Sequence, residues 1–275
     1  RAAETLARGS RREETRTMAL DLRAASFRNL SELRFVATPK RLRARLGDTA
    51  VLETRDALLV WEPRRVVPSY AVPPGDLDLT LSEHDPAPVP DQLGPVLPPG
   101  HPDWHTVPGT SLHAEGLGEV AFRPEDSALG GRLIMTWEPF EWTEEDQPVT
   151  GHPHDPYVRI DVLASDRHVR VELDGVVLAE SDRPVALFET GLPVRWYLPV
   201  EEVRMDLLTP SDTHSVCAYK GRASYLSAEG GTDVAWYYPD PLRDALPVKD
   251  LLCFWRDVTV LVDGEAVPTG MPGEG

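Results

Sequence analysis

At 275 residues, with 41% hydrophobic and 27% charged side chains, the chain is long enough for one large domain or two ordinary ones with real cores. No apolar run approaches the roughly 20 residues of a membrane helix, and a net charge of −17 repels phosphate backbones, so neither membrane nor nucleic acid is an expected partner. Cys217 and Cys253 are the only cysteines; with no disulfide framework and no recognisable secretory leader, a cytoplasmic location is expected.

The charge is uneven. Residues 1–45 hold twelve Lys/Arg against five acids, a net of +7 that leaves −24 on the remaining 230 residues. The basic head reads as a solvated Arg-rich tail, with a nucleic-acid contact as the sharper alternative. Met18 follows this polar segment and is a candidate natural start; residues 1–30 are expected to be loosely ordered or a marginal helix. Arginine outnumbers lysine 25 to 3, leaving Lys40, Lys220 and Lys249. In a chain so biased, a retained lysine points to a need for a primary amine, which arginine does not replace.

From Lys40 onward the pattern is that of strands. Leu42, Ala44 and Leu46 alternate with Arg41, Arg43 and Arg45 before Gly47-Asp48; the period of 2 marks half-buried strands. Val169, Val171 and Leu173 repeat the pattern before Asp174-Gly175, a hairpin signal, and Val258, Val260 and Val262 before Asp263-Gly264. These echoes form an internal duplication. Leu58-Leu-Val-Trp-Glu62 parallels Val185-Ala-Leu-Phe-Glu189, Tyr70-Ala-Val-Pro73 parallels Tyr197-Leu-Pro199, and Gly131-Arg-Leu-Ile-Met-Thr-Trp137 parallels Lys249-Asp-Leu-Leu-Cys-Phe-Trp255. The organisation expected is an N-terminal extension over 1–37, a β domain over 38–145, a linker over 146–156, a second β domain over 157–267 and a Gly/Pro tail over 268–275. A proline-dense insertion over 82–103 in the first copy reads as an ordered loop with little regular structure.

Chemically active side chains are densest between Arg204 and Tyr225. Cys217-Ala-Tyr-Lys-Gly221 places a thiol three residues before an ammonium, and a nearby cation favours the reactive thiolate. His214 is a candidate base for it; the plainer reading is an inert cysteine beside a turn. Lys220 is a ligand-facing cation or the partner of a surface acid. Glu189 closes an apolar stretch, where an unpaired carboxylate would be desolvated; Arg204 and Lys220 are its natural partners, as an ion pair or as a general acid/base. Arg204 and Asp206 share one face if the segment is a strand, so Arg204 is either an anion clamp or half of an internal bridge. Trp236, Tyr237 and Tyr238 wall a pocket or fill a core. His101, His105, His113, His152 and His154 fit no zinc spacing, so no metal is expected, and no phosphate-cradling glycine motif is present, so no cofactor is expected.

Phe188-Glu-Thr-Gly191, Trp196-Tyr-Leu-Pro199, Asp206-Leu-Leu-Thr-Pro-Ser-Asp212, Cys217-Ala-Tyr-Lys-Gly-Arg-Ala-Ser-Tyr225 and Ala235-Trp-Tyr-Tyr-Pro-Asp-Pro241 resemble the DUF427 family, a domain of unknown function sometimes filed under a nucleotidyltransferase label. The first domain looks like a diverged copy, and the tandem layout resembles actinobacterial members. The resemblance implies a mainly β, tent-like (Mss4-like) fold without zinc cysteines. No paired-carboxylate Gly-Ser signature or phosphate loop supports the nucleotidyltransferase label. In the first copy His105 stands near the place of Cys217, Val107-Pro108-Gly109 replaces Tyr219-Lys220-Gly221, and Asp78 replaces Arg204. One site per chain is therefore expected, in the second domain: Cys217, Lys220 and Glu189 for chemistry, and Arg204, Tyr219, Tyr225, Trp236 and Tyr238 for an unidentified small-molecule ligand. The reaction class expected, if there is one, is hydrolytic or acyl/formyl transfer. The alternative is a non-catalytic binding or interaction module in which these residues knit the fold.

Overall fold

A computed structural model describes residues 29–97 and 104–270, with positions 19, 21 and 100. The loosely ordered or helical head expected before residue 30 lies almost wholly outside the described residues, as do His101 and the last five residues of the tail. The chain is mainly β, as expected. The first half holds β1 (Arg34–Thr38), β2 (Leu42–Leu46), β3 (Thr49–Thr54), β4 (Ala57–Trp61), β5 (Ser69–Val72), β6 (Leu81–His84), β7 (Gly109–Ala114), β8 (Gly118–Pro124), β9 (Leu133–Met135), β10 (Glu141–Glu144) and β11 (Gln147–Pro148). The second holds β12 (Ile160–Ala164), β13 (Val169–Leu173), β14 (Val176–Ser181), β15 (Val185–Glu189), β16 (Arg195–Pro199), β17 (Leu208–Cys217), β18 (Gly221–Ala228), β19 (Gly231–Tyr237), β20 (Leu251–Phe254), β21 (Thr259–Val262) and β22 (Glu265–Val267). Helical turns among the described residues are short 3-10 segments, and no helix is long and apolar enough to cross a membrane.

Each half is a seven-stranded antiparallel sheet packed on a four-stranded one. The orders are β1-β4-β5-β9-β8-β7-β6 with β11-β10-β2-β3, and β12-β15-β16-β20-β19-β18-β17 with β14-β13-β21-β22. Counted from the first strand of each half, the two orders are identical. The strand β1 begins before the expected domain start at 38, and β11 lies inside the expected linker, where it forms the edge of the first small sheet. Of the proline-dense insertion, the described part beyond β6 has no strand, apart from a bridge between Leu97 and Arg65.

Local sequence explains the small sheets. Along β13, Val169, Val171 and Leu173 are buried while Arg170 and Glu172 are half-buried on the other face. Asp174 and Gly175 both have positive φ, at 48° and 80°, the primed turn whose twist matches the flanking strands. The apolar faces of the small sheets meet the inner faces of the large ones, giving one core with Leu42, Ala44, Leu59, Tyr70 and Leu133, and another with Val169, Val171, Trp196, Leu198 and Leu252.

The large sheets are buried on both faces. All five residues of β4 and all five of β16 are buried. Their outer faces carry second clusters: Leu58, Val60, Ala71, Phe122, Leu129 and Ile134 in the first half, and Leu187, Tyr197, Ala223, Trp236, Tyr238 and Cys253 among those in the second. Pairing moves one expected match by a residue. Leu58 opposes Ala71 and Val185 opposes Tyr197, so Ala71 holds the place of Tyr197, and Tyr70 that of Trp196. A shift of one residue exchanges the two faces of a strand, and Tyr70 and Tyr197 do lie in opposite clusters.

The sheets also curl. Between β15 and β18 lie four strand spacings, roughly 19 Å if the sheet were flat. Yet Lys220, just before β18, reaches Glu189 at the end of β15 with 2.5 Å between Nζ and Oε2. In the first half the Thr106 N–H, ahead of β7, donates to Glu62 Oε1, beyond β4, at 2.9 Å. Each large sheet therefore bends until its hairpin end meets its other flank.

Candidate functional site

The site begins at the β17–β18 turn. Gly221 has φ +98°, and a Cβ there would lie 3.3 Å from the Asp240 carbonyl oxygen and 3.5 Å from Leu242 Cγ. The backbone conformation demands glycine, and the approach of the Asp240 carbonyl leaves a side chain little room. The Leu242 N–H donates to the Lys220 carbonyl at 3.1 Å. On the other side, the segment joining the halves docks on the turn. His154 Nε2 donates to the Ala218 carbonyl at 2.7 Å, and the Tyr219 hydroxyl accepts the Asp155 N–H at 3.0 Å. The Tyr219 ring stacks on His154 with centroids 5.2 Å apart. Held from both sides, the turn sends Lys220 inward.

There Lys220 meets Glu189; only 10% and 11% of the two side chains is exposed. Burial opposes the charge on Lys220, but Cys217 and Glu189 beside it outweigh burial and hold the ammonium above the ordinary lysine range. Cys217, on the other side of the ammonium, is half-buried. Behind this cluster stands an aromatic wall. Trp236 Nε1–H donates to the Tyr197 hydroxyl at 3.0 Å, and the Tyr225 hydroxyl is 2.7 Å from Ser215 Oγ. The Arg195 guanidinium lies 5.4 Å from the Trp236 ring centroid and donates to the Thr269 carbonyl. Burial holds the Tyr197 and Tyr238 phenols protonated, well above their ordinary range. It also pushes the Cys253 thiol up to about 12, so that Cys253 is chemically quiet.

Six of the sequence-predicted residues thus lie together: Cys217, Lys220, Glu189, Tyr225, Trp236 and Tyr238. Tyr219 is adjacent, but its hydroxyl is spent on Asp155. Arg204 is elsewhere. Its segment is a 3-10 turn over Met205–Leu207 rather than a strand, and its guanidinium makes two bonds to Asp206, at 2.9 and 2.7 Å, on the exposed surface. It precedes the far end of β17, which by the pairing of Leu208 with Ala228 and Cys217 with Gly221 is roughly 23 Å from Cys217 at 3.3 Å per residue. His214 is no base for Cys217: three residues apart on a strand, the two point to opposite faces, and His214 Nδ1 lies 3.2 Å from the Ala223 carbonyl. Sequence reasoning missed Arg195, Tyr197 and Cys253. The alternation of Arg195 and Tyr197 with Trp196 and Leu198 is the signal that places them on one face.

The first half keeps the clasp and loses the rest. Glu62 Oε2 is 3.0 Å from His105 Nδ1, whose Nε2 is 2.8 Å from Glu119 Oε1. Burial would raise the Glu62 pKa and lower that of His105, but the mutual hydrogen bonds and charges prevail, so the carboxyl is held below and the imidazole above its ordinary range. The His105 ring lies flat on Phe122 with centroids 3.7 Å apart. By register, Tyr225 and Trp236 are replaced by Ser111 and Phe122, and Ser224 opposite Tyr237 by Thr110 opposite Arg123, which sets Pro124 in the place of Tyr238. The strand β6 ends at His84, opposite Ser111, so nothing on it corresponds to Cys217. Two surface grooves, one of about 570 Å³ along Arg43, Glu53, Asp78 and Asp146 and one of about 600 Å³ beside Ser227, Gly230 and Arg256, border neither cluster.

The fold and cluster define a mainly β protein of two halves with one strand order, the second half alone bearing a lysine–carboxylate–thiol cluster against an aromatic wall. Residues 161–267, within the second half, match the family model described as "Domain of unknown function (DUF427)". No curated protein matches the chain.

Proposed function

We propose that the second half binds a small molecule at the β17–β18 turn, with Lys220 and Glu189 as its polar anchor, Trp236, Tyr238 and Tyr225 as walls, and Cys217 as a nucleophile for hydrolytic or acyl-transfer chemistry. The observation that carries this reading is the Lys220 ammonium held between a nearly buried carboxylate and a half-exposed thiol. The ammonium stands where the negative charge of an attacking sulfur would form, and the thiolate is the form that attacks carbonyl carbon. The test is labelling of Cys217 with a thiol-reactive probe in the wild type and in Lys220→Met. The reading requires Cys217 to react faster than a free cysteine and to slow in the variant. Mass spectrometry of the purified protein, searching for a bound small molecule, would identify the ligand class.

A second reading has its own support. The first half closes its sheet in the same manner through His105 and Glu62, with no thiol and with Phe122 alone where the second half has Tyr225, Trp236 and Tyr238. In that reading Lys220–Glu189 is a structural clasp and the domain is a non-catalytic binding or interaction module. It predicts that Lys220→Met lowers stability while the rate of Cys217 labelling stays that of a free thiol. The acidic surface argues against nucleic acid in either case, and two free cysteines suit a reducing compartment such as the cytoplasm.

A further inference from the structure

Trp236 and Tyr225 satisfy their polar atoms within the protein. Tyr238 does not. It is only 5% exposed, yet among the described residues its hydroxyl has no hydrogen-bond partner. That hydroxyl is not one of the fully buried polar atoms left without a partner, so it keeps contact with solvent and is free to donate to a ligand. Its place in the sheet sets what it faces. Ser215 opposes Ala223, and Cys217 opposes Gly221. Ser224 opposes Tyr237, so the register continues to Ala223 opposite Tyr238. Ser215, Ala223 and Tyr238 therefore form a row across three strands, and Cys217 stands in the next row on the same face. Only the small side chain of Ala223 intervenes, and Tyr238 packs with it.

We propose that the Tyr238 hydroxyl is the hydrogen-bond donor to the carbonyl oxygen of an acyl compound attacked by Cys217, which assigns the site to esters, thioesters or activated amides. This rests on the reading of Cys217 as a nucleophile and adds a second catalytic group to it. The Cys217 thiol first loses its proton to water. The thiolate then forms a C–S bond to the carbonyl carbon, and the π pair moves onto the oxygen, where Tyr238 O–H meets the growing negative charge. Return of that pair re-forms C=O and breaks the bond to the leaving group, which departs with its electrons. Water then cleaves the thioester, returning the acid and the thiol. Burial keeps the phenol protonated, as a donor must be. A donor aimed where charge develops, rather than where it already exists, is the arrangement that lowers an acyl-transfer barrier.

The experiment compares two reactions of the same thiol in the full chain. Acylation by p-nitrophenyl acetate builds an oxyanion; alkylation by iodoacetamide does not. Wild type, Tyr238→Phe and Cys217→Ser are followed by p-nitrophenolate release and by mass of the alkylated protein. The expected result is loss of both reactions in Cys217→Ser. Tyr238→Phe is expected to acylate about 100-fold more slowly, with alkylation within about twofold of wild type and a melting temperature that does not fall, since the hydroxyl it loses has no protein partner. Equal acylation of wild type and Tyr238→Phe would overturn the role of Tyr238 while leaving Cys217 a nucleophile. Equal slowing of both reactions would also overturn it, since Tyr238 would then govern access to the thiol. A wild-type Cys217 that reacts with neither reagent would remove the nucleophile reading itself.

Discussion

Glu189 is a carboxylate that the fold has withdrawn from water, and Lys220 is what makes that tolerable. Removing one partner of a buried pair leaves the other charge without compensation, which costs more than the pair is worth against an apolar replacement. Lys220→Met is therefore expected to lose about 3 kcal/mol of unfolding free energy in urea, and the double variant Lys220→Met with Glu189→Leu to regain most of it. A double variant no more stable than the single would mean that the pair is not isolated from its neighbours. Arg204 offers the contrast. Its bonds to Asp206 are made on the open surface, where solvent screening leaves an ion pair little net effect. Arg204→Ala is expected to leave both the urea midpoint and the rate of Cys217 labelling unchanged. A slowed labelling rate would bring Arg204 back into the site.

Among the elements, half-buried strands were legible and fully buried ones were not. The hydrophobic–charged alternation of Val169–Leu173 gives strand, face and turn together. The run Arg195–Pro199 is buried throughout, so it shows no polar face, and both an arginine and a tyrosine of the site went unread. Arg204 drew attention because Val203-Arg-Met-Asp-Leu207 alternates like a strand, but a 3-10 turn with a two-residue ion pair gives the same spacing. The Cys217–Lys220 spacing was legible because both ends of a tight hairpin turn are forced together. The curl that brings Glu189 to them was not, since it depends on pairing across the whole sheet. In the first half the equivalent clasp makes a pH test. The raised pKa of His105 means its stabilisation is fully present below the unfolded value of about 6.5 and is lost as pH rises through the folded value. The lowered pKa of Glu62 and of Glu119 gives stabilisation present above about 4.3 and lost as pH falls through the folded values. The stability advantage of wild type over His105→Gln should thus be largest between these ranges and shrink on the alkaline side. A constant difference from pH 5 to 9 would show that His105 does not titrate with folding.

At the scale of the molecule, Asp155 helps to join the halves. The Asp155 N–H is bonded to Tyr219 of the second half, its carboxylate accepts the Tyr157 N–H at 2.7 Å, and Trp61 of the first half lies close to that carboxylate. Tyr157 lies against Trp61 with ring centroids 6.4 Å apart. The turn that carries Lys220 is thereby tied to the first half, which gives that half a means of influencing the site without contributing to it. Asp155→Ala is expected to separate the calorimetric unfolding of the two halves by a few degrees and to alter Cys217 labelling, while Asp56→Ala, on the exposed surface of the first half beside Arg132, does neither. Identical thermograms for Asp155→Ala and wild type would show that the halves are coupled elsewhere.

Cys217 sits at the end of β17, the outermost strand of its sheet and ten residues long. An open edge of that length offers a row of unpaired amides to any passing chain, the usual seed of sheet extension between molecules. Here the pairing with β18 breaks between Pro210 and His214, Pro210 has no N–H to offer, and Asp212 is exposed in the gap. The edge is thus divided into two short pieces, neither a good template for a second molecule. A strand that has to be long to bring a thiol to the hairpin turn is kept from becoming adhesive by the same interruption that makes it look irregular, so repairing the irregularity would threaten solubility before it touched the site.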